Sequence, residues 1–240
     1  MIGGRCQSKE APMINRSILA ISAILPRLPD NLSAQLFAGA ASRHLEAGKA
    51  LFLAGDTGDG CYRLEQGLVK VIITSPRGEE RILAILGPGA LVGELSVIDG
   101  GPRSASVVAV KECELSFVSR AAFKECTQQY PEIYHYLVDV LAARLRETDE
   151  AVVAASFLTV KSRLARALLE LAKFLGEEEA SGRVLIRHKV SQSDLAAMAG
   201  VARENVSRAL SDWKRRKLVT RSTGYYCIHD IATLKRAVDS

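Results

Sequence analysis

Eleven of the chain's eighteen glycines fall between Gly48 and Gly101. Short apolar runs lie among them: "ALFLAG", "CYRLEQG", "LVKVIIT" and "RILAILG". Glycine enters backbone conformations closed to other residues, so it marks tight turns. Short apolar runs between such turns read as strands of an antiparallel sandwich or barrel. "SPRGEE" (Ser75–Glu80) has the chemistry of a hairpin turn, and "SASVVAV" and "CELSFVS" carry the strands to about Ser119.

From Arg120 the period becomes helical. Leu137, Leu141, Leu145, Thr148, Val152, Ala155 and Thr159 step by 4, 4, 3, 4, 3 and 4, a heptad-like stripe. A long helix with one apolar seam needs a partner. Its own copy gives a two-fold dimer; the chain's own sheet is the alternative. Thr148 and its neighbour Asp149 put polar groups at this seam, and those need a reason.

A further helix is expected over Val160–Leu175, with Leu164, Leu168, Leu171 and Leu175 on one face. "GEEEASG" (Gly176–Gly182) reads as a loop and "RVLIRHKV" as a strand. Ser191 with Asp194 three residues on makes a capping-box start to a helix, which Gly200 ends. A second helix runs from about Ala202 to Lys217, and "LVTRSTGYYCIHD" reads as a hairpin turning near Ser222–Gly224. Helix, turn, helix and hairpin make a winged helix-turn-helix.

The net charge of +5 is unevenly placed. Residues 1–160 hold 16 Lys/Arg and 18 Asp/Glu, and residues 161–240 hold 16 and 9. The basic last third points to a polyanion partner. At about 100° per residue, Arg203, Glu204, Ser207 and Arg208 of the second helix share one face. Val206, Ala209, Leu210 and Trp213 lie opposite. Arg fits the O6 and N7 acceptors of guanine, and Glu accepts from the amino group of cytosine. "KRRK" (Lys214–Lys217) suits phosphates, which add affinity without sequence information. Ser191, Gln192 and Lys214 are therefore counted with Arg203, Glu204, Ser207 and Arg208 as residues facing double-stranded DNA.

Other chemistries find little support. The five cysteines are odd in number and none pairs as C-x-x-C, which argues against a zinc site or a disulfide framework. They read as buried thiols in a reducing cytoplasm, and no metal is expected. His44, His135, His188 and His229 are scattered and no paired-carboxylate motif accompanies them, so no enzyme is expected. No apolar run approaches the ~20 residues of a membrane span. "SILAISAIL" (Ser17–Leu25) reads as a short helix packed on the domain. Residues 1–12 read as a tail, with Met13 an alternative start.

One stretch breaks the strand pattern: "VGELSVIDGGPRSASV" (Val92–Val107). Its glycines leave backbone amides accessible, Arg103 supplies a fixed positive charge and Ser104 a hydroxyl, all suited to a phosphate. Glu94 can hold a sugar hydroxyl. An Arg103–Glu94 ion pair stapling a loop would use the same residues.

This segment resembles the phosphate-binding cassette of cyclic nucleotide-binding domains. The upstream "AGKALFLAGD" and "CYRLEQGLVKV" are similar to the first strands of that β-roll. With the long helix and Arg203-Glu204-x-x-x-Arg208, the chain from about Leu28 to Asp230 resembles the cyclic AMP receptor protein (CRP/FNR) family of bacterial transcription regulators. The resemblance implies an α+β fold: an N-terminal β-roll (double-stranded jelly roll), a long dimerisation helix and a C-terminal winged helix-turn-helix. The corresponding divisions are 1–26 (tail and short helix), 27–132, 133–159 and 160–240.

The resemblance also implies roles. Glu94 would bind the ribose 2′-hydroxyl of cyclic AMP. Arg103 and Ser104 would bind the cyclic phosphate, with Gly93, Leu95 and Ala105 shaping the loop. Thr148 would contact the adenine, which accounts for the polar break in the seam. Arg203, Glu204 and Arg208 would read a TGTGA half-site in a two-fold palindrome, and RNA polymerase would be a further partner. Arg103→Ala is expected to abolish the ligand response and leave the fold intact. Two positions depart from the family pattern. Asp149 stands where well-known members carry a small hydroxyl residue that reaches the nucleotide across the dimer. A carboxylate there accepts from the amino group of adenine and faces the O6 of guanine, which favours cyclic AMP over cyclic GMP. Ala202 replaces a frequent Ser or Thr cap. The alternative within the family is constitutive DNA binding or another signal: redox, a haem-bound gas or a different nucleotide.

Overall fold

The computed structural model describes residues 20–22, 28–179 and 182–238. Among them, the glycine-rich region forms two facing sheets. One has the strand order β1 (Ala20–Ser22), β6 (Glu80–Leu86), β5 (Val69–Thr74), β8 (Ser106–Ala109) and β3 (Ala50–Phe52). The other is β2 (Ala41–Leu45), β9 (Cys113–Ser119), β4 (Gly60–Gln66) and β7 (Leu91–Val92). Leu51, Val69, Leu86 and Val107 of the first sheet close on Leu45, Leu64, Val92 and Leu115 of the second. This is the expected β-roll. The turn between β5 and β6 has Gly78 at φ +82° and Ser75 Oγ accepting from the Glu79 amide at 3.1 Å.

Helices α1 (Asp30–Leu36) and α3 (Arg120–Gln129) flank the roll, and α2 (Glu94–Asp99) sits inside the cassette. The sequence reads that stretch only as a break between strands and does not foresee this turn and a half of helix. The pairing of β5 with β6 shifts at one point: Val71 faces Ala84 and Ile72 faces Ile82, so Leu83 is the extra residue of a bulge. The bulge turns Ile82 and Ile85 to the outer face, where they join Ile72 against the C-terminal domain.

Helix α4 (Glu132–Phe157) is 26 residues long, about 39 Å at 1.5 Å per residue. Its first turns serve the chain's own core, with Ile133, Leu137 and Val140 buried. Beyond them the seam is bare. Leu145 is 63% exposed, Val152 61% and Phe157 81%. Packing against the chain's own core therefore accounts for the first turns of the helix, and the described residues leave the rest of the stripe uncovered. The stripe does not reach Thr159, because α4 stops at Phe157. Thr159 instead caps α5 (Val160–Leu175), its side chain accepting from the Ser162 amide.

Beyond α5, β10 (Gly176–Glu178) and β11 (Val184–Ile186) pair with the wing strands β12 (Val219–Ser222) and β13 (Tyr225–Ile228) in the order β10-β11-β13-β12. Helices α6 (Gln192–Ala199) and α7 (Arg203–Arg215) form the helix-turn-helix, and α8 (Ile231–Arg236) closes the domain. Trp213, Tyr226, Leu164, Leu168 and Leu171 are its largest fully buried side chains.

Two expectations are corrected. Ala20–Ser22, read as part of a helix over Ser17–Leu25, is a strand paired in parallel with β6; the remainder of that segment, Cys6 and the Met1/Met13 start lie outside the described residues. The first three residues of "GEEEASG" are strand rather than loop, because Gly176–Glu178 pair with Val184–Ile186.

Candidate functional site

Two adjoining cavities, of about 60 and 260 Å³, open where the cassette meets α4. Leu95, Ser104, Ala105 and Arg144 line both. The smaller also takes in Gly93, Glu94, Ser96 and Arg103. The larger takes in Arg81, Glu147 and Thr148. All the expected ligand residues except Asp149 thus converge on one place. Asp149 is exposed and lines neither cavity of its own chain.

Arg103 is 3% exposed. Its Nη1 donates to the Gly60 carbonyl at 2.7 Å and the Gly93 carbonyl at 3.0 Å, and its Nη2 donates to Asp59 Oδ1 at 2.9 Å. The guanidinium carbon lies 4.3 Å from the centroid of the Phe52 ring. Gly93 is required here: its φ is +79°, and a Cβ would overlap Arg103 Nη1. Arg103 and Glu94 are not each other's partner, so the loop-stapling alternative does not hold. Glu94, 2% exposed, pairs with Arg144 of α4, whose Nη2 also donates to the Leu91 carbonyl at 2.8 Å. These contacts also revise the expectation that Arg103→Ala would spare the fold. Truncation would leave the Gly60 and Gly93 carbonyls without their donor, at about 1–3 kcal/mol for each that stays buried; Asp59, whose side chain is 65% exposed, can turn to solvent.

Arg103 Nε and Ser96 Oγ are buried and have no partner among the described residues. Unpaired buried donors are costly, and both belong to residues lining the smaller cavity. An oxyanion in that cavity would give the side-on edge of the Arg103 guanidinium its acceptor. The donor set therefore fits a cyclic phosphate. Three carbonyl and carboxylate contacts already fix the guanidinium plane, so no ordering cost is left for the ligand to meet.

The larger cavity is flatter in polarity and richer in apolar wall, with Leu83, Ala84 and Leu86 beside Thr148. Thr148 Oγ1 donates to the Arg144 carbonyl at 2.9 Å, so its lone pairs remain for a base edge. Burial pushes the Glu147 carboxyl up, the Arg144 charge opposing and Glu150 adding to the shift. Arg144, Glu147 and Ser96 were not singled out from sequence. Arg144 had a signal: it precedes Thr148 by one helical turn and so shares its face.

The second candidate surface is α7. Val206, Ala209, Leu210 and Trp213 are buried, while Arg203, Glu204, Ser207, Arg208 and Lys214 are exposed. Among the described residues no ion pair joins Arg203, Glu204 or Arg208, so their donors and acceptors are free. Asp212 does pair, with Lys161 at 2.9 Å and Arg215 at 3.1 Å. Ser191 and Asp194 form the capping box of α6, and Gln192 follows at its first position. Ala202 precedes α7 without a side-chain cap.

Residues 42–130 match the family model of the cyclic nucleotide-binding domain, and residues 162–237 that of the Crp-like helix-turn-helix domain. A CRP-like cAMP-activated global transcriptional regulator of Mycobacterium tuberculosis is 36% identical over 169 residues, 70% of this chain and 75% of that one. A cyclic AMP receptor protein of Thermus thermophilus is 38% identical over 189 residues, 78% and 83% of the two chains. A solved CRP/FNR-family transcriptional regulator from the same species superposes with a TM-score of 0.71 at 26% identity, covering 83% of this chain and 99% of that one. A cassette-lined cavity on a β-roll, a long helix and a Crp-like helix-turn-helix occur here in one chain with these relatives, and the chain belongs to the cyclic AMP receptor protein (CRP/FNR) family of DNA-binding transcription regulators.

Proposed function

We propose that this protein is a homodimer whose affinity for a TGTGA-type palindrome is set by cyclic AMP bound in the β-roll. One observation carries the reading. The cavity lined by the cassette is also lined by Thr148, on the same helix that leaves Leu145, Val152 and Phe157 bare. A ligand in that cavity touches the element on which a second copy would dock.

In this reading Arg103 and Ser104 hold the cyclic phosphate and Glu94, oriented by Arg144, holds the ribose hydroxyl. Gly93, Leu95 and Ala105 shape the loop, and Thr148 meets the adenine. Asp149 acts on the nucleotide of the partner copy, in keeping with its exposure outside its own cavity, and selects adenine over guanine. The bare seam buries on dimerisation and sets two α7 helices about one DNA turn apart. Arg203, Glu204, Ser207 and Arg208 then read bases, while Ser191, Gln192 and Lys214 hold phosphates. RNA polymerase is the partner on the DNA, in the cytoplasm. Burial pushes up the thiols of Cys61, to about 12, and of Cys113, Cys126 and Cys227, which disfavours a redox signal through these four.

The test is fluorescence anisotropy of a labelled duplex carrying TGTGA and its inverted repeat, titrated with protein with and without cyclic AMP. A large nucleotide-dependent gain in affinity supports the reading. Equal affinity with and without nucleotide moves the protein to constitutive binding or another signal. Equal responses to cyclic AMP and cyclic GMP would remove the role given to Asp149.

A further inference from the structure

Arg81, on β6, belongs to two places at once. It lines the larger cavity with Ser104 and Thr148. Its guanidinium also lies directly over Gly200, where a Cβ would overlap Arg81 Nη1. Gly200, at φ +61°, is the residue that ends α6 and starts the turn into the reading helix. No hydrogen bond or ion pair to Arg81 exists among the described residues. Its neighbour there is another cation: Arg163, whose Nη1 donates to the Gly200 carbonyl at 3.0 Å and whose buried Nε has no partner among the described residues. Arg81 and Arg163 share a small crevice with Met198 and Ala199 of α6. Burial and the Arg163 charge both disfavour the Arg81 cation in this position.

We propose that Arg81 is a ligand-reading residue that couples the cavity to the helix-turn-helix: it rests on Gly200 when the cavity lacks an acceptor and turns to the purine when one is bound. The inference rests on the cyclic-nucleotide reading above. A guanidinium with unmet donors beside a like charge gains hydrogen bonds by moving to purine ring nitrogens. That move empties the space over Gly200 that the Arg81 guanidinium fills, at the junction of the first helix-turn-helix element with the roll, beside the Lys70–Asp194 ion pair at 3.1 Å. The ligand then has a differential interaction with the two states, which any population shift requires.

The experiment measures duplex affinity by anisotropy with and without cyclic AMP, for wild type and Arg81→Met, with Arg81→Gln measured alongside in case the methionine variant melts early. For the wild type a gain of about 5–150-fold is expected. In the variants the gain should shrink by about fivefold or more. A merely structural role would lower both affinities together and leave their ratio alone. A wild type that responds, with variants showing the same ratio, overturns the inference and leaves the cyclic-nucleotide reading standing. A wild type that does not respond overturns that reading, and this inference with it.

Discussion

The Glu94–Arg144 pair joins the cassette to α4, and its energetics can be worked from its surroundings. The Glu94 side chain is 2% exposed and that of Arg144 27%. Removing one member of a buried pair costs about 3–5 kcal/mol, because the other charge is left uncompensated. Arg144 keeps some contact with solvent, so Arg144→Met should fall at the lower end, about 3 kcal/mol. That is a large share of the roughly 5–15 kcal/mol that keeps a domain folded. Replacing both, Glu94→Gln with Arg144→Met, removes the stranded charge and should return stability to within about 1 kcal/mol of wild type. Urea unfolding of the two single variants and the double variant measures the coupling. If the double variant costs the sum of the singles to within about 0.5 kcal/mol, the pair is not an energetic unit and the reasoning fails. Calorimetry on the same proteins adds a second readout, since Glu94→Gln also replaces the proposed carboxylate acceptor of the ribose hydroxyl by a neutral amide.

Three further outcomes are expected. Gly93→Ala forces a side chain to φ +79° and against Arg103; nucleotide binding in calorimetry should drop at least about tenfold, the equivalent of ~1.4 kcal/mol, and unchanged binding would refute the assigned role of that turn. Glu147→Gln should raise the melting temperature at neutral pH. Burial lifts the carboxyl's folded pKa above its unfolded value, so the wild-type penalty is present above the folded pKa and vanishes below the unfolded one; the gap between the two proteins should close as pH falls through that range, and a gap independent of pH would contradict it. Ala202→Ser should add a cap to α7 and stabilise the protein by about 0.5–1 kcal/mol in urea unfolding; no change would mean that the extended backbone at Ala202 does not present the hydroxyl to the helix.

Local chemistry was legible in the sequence where one segment settles its own structure. The turn at Gly78, the capping box of Ser191 and Asp194, and the two faces of α7 follow from residue types a few positions apart. The convergence of Gly93, Glu94, Arg103 and Ser104 was readable for the same reason, since all lie within one short stretch. What escaped depends on distant partners. Asp59 meets Arg103 across 44 positions, Arg144 meets Glu94 across 50, and Lys70 meets Asp194 across 124. No periodicity carries such pairs. The bulge at Leu83 flips Ile82 and Ile85 to one face, and strict alternation would separate them. The α4 stripe has uniform spacing, so the sequence offers a single seam. Only the fold shows that Leu137 faces its own core while Leu145 and Val152 face outward.

The central claim is that nucleotide in the roll and DNA on α7 act on one equilibrium. Linkage requires that each raise the other's affinity by the same factor. The most direct measurement is therefore calorimetric titration of cyclic AMP into the protein alone and into its complex with the TGTGA-type duplex, at one salt concentration. The account expects nucleotide to bind more tightly to the complex, by the factor by which nucleotide raises DNA affinity. Identical nucleotide affinities with and without DNA would mean that the two sites do not communicate, and would contradict it.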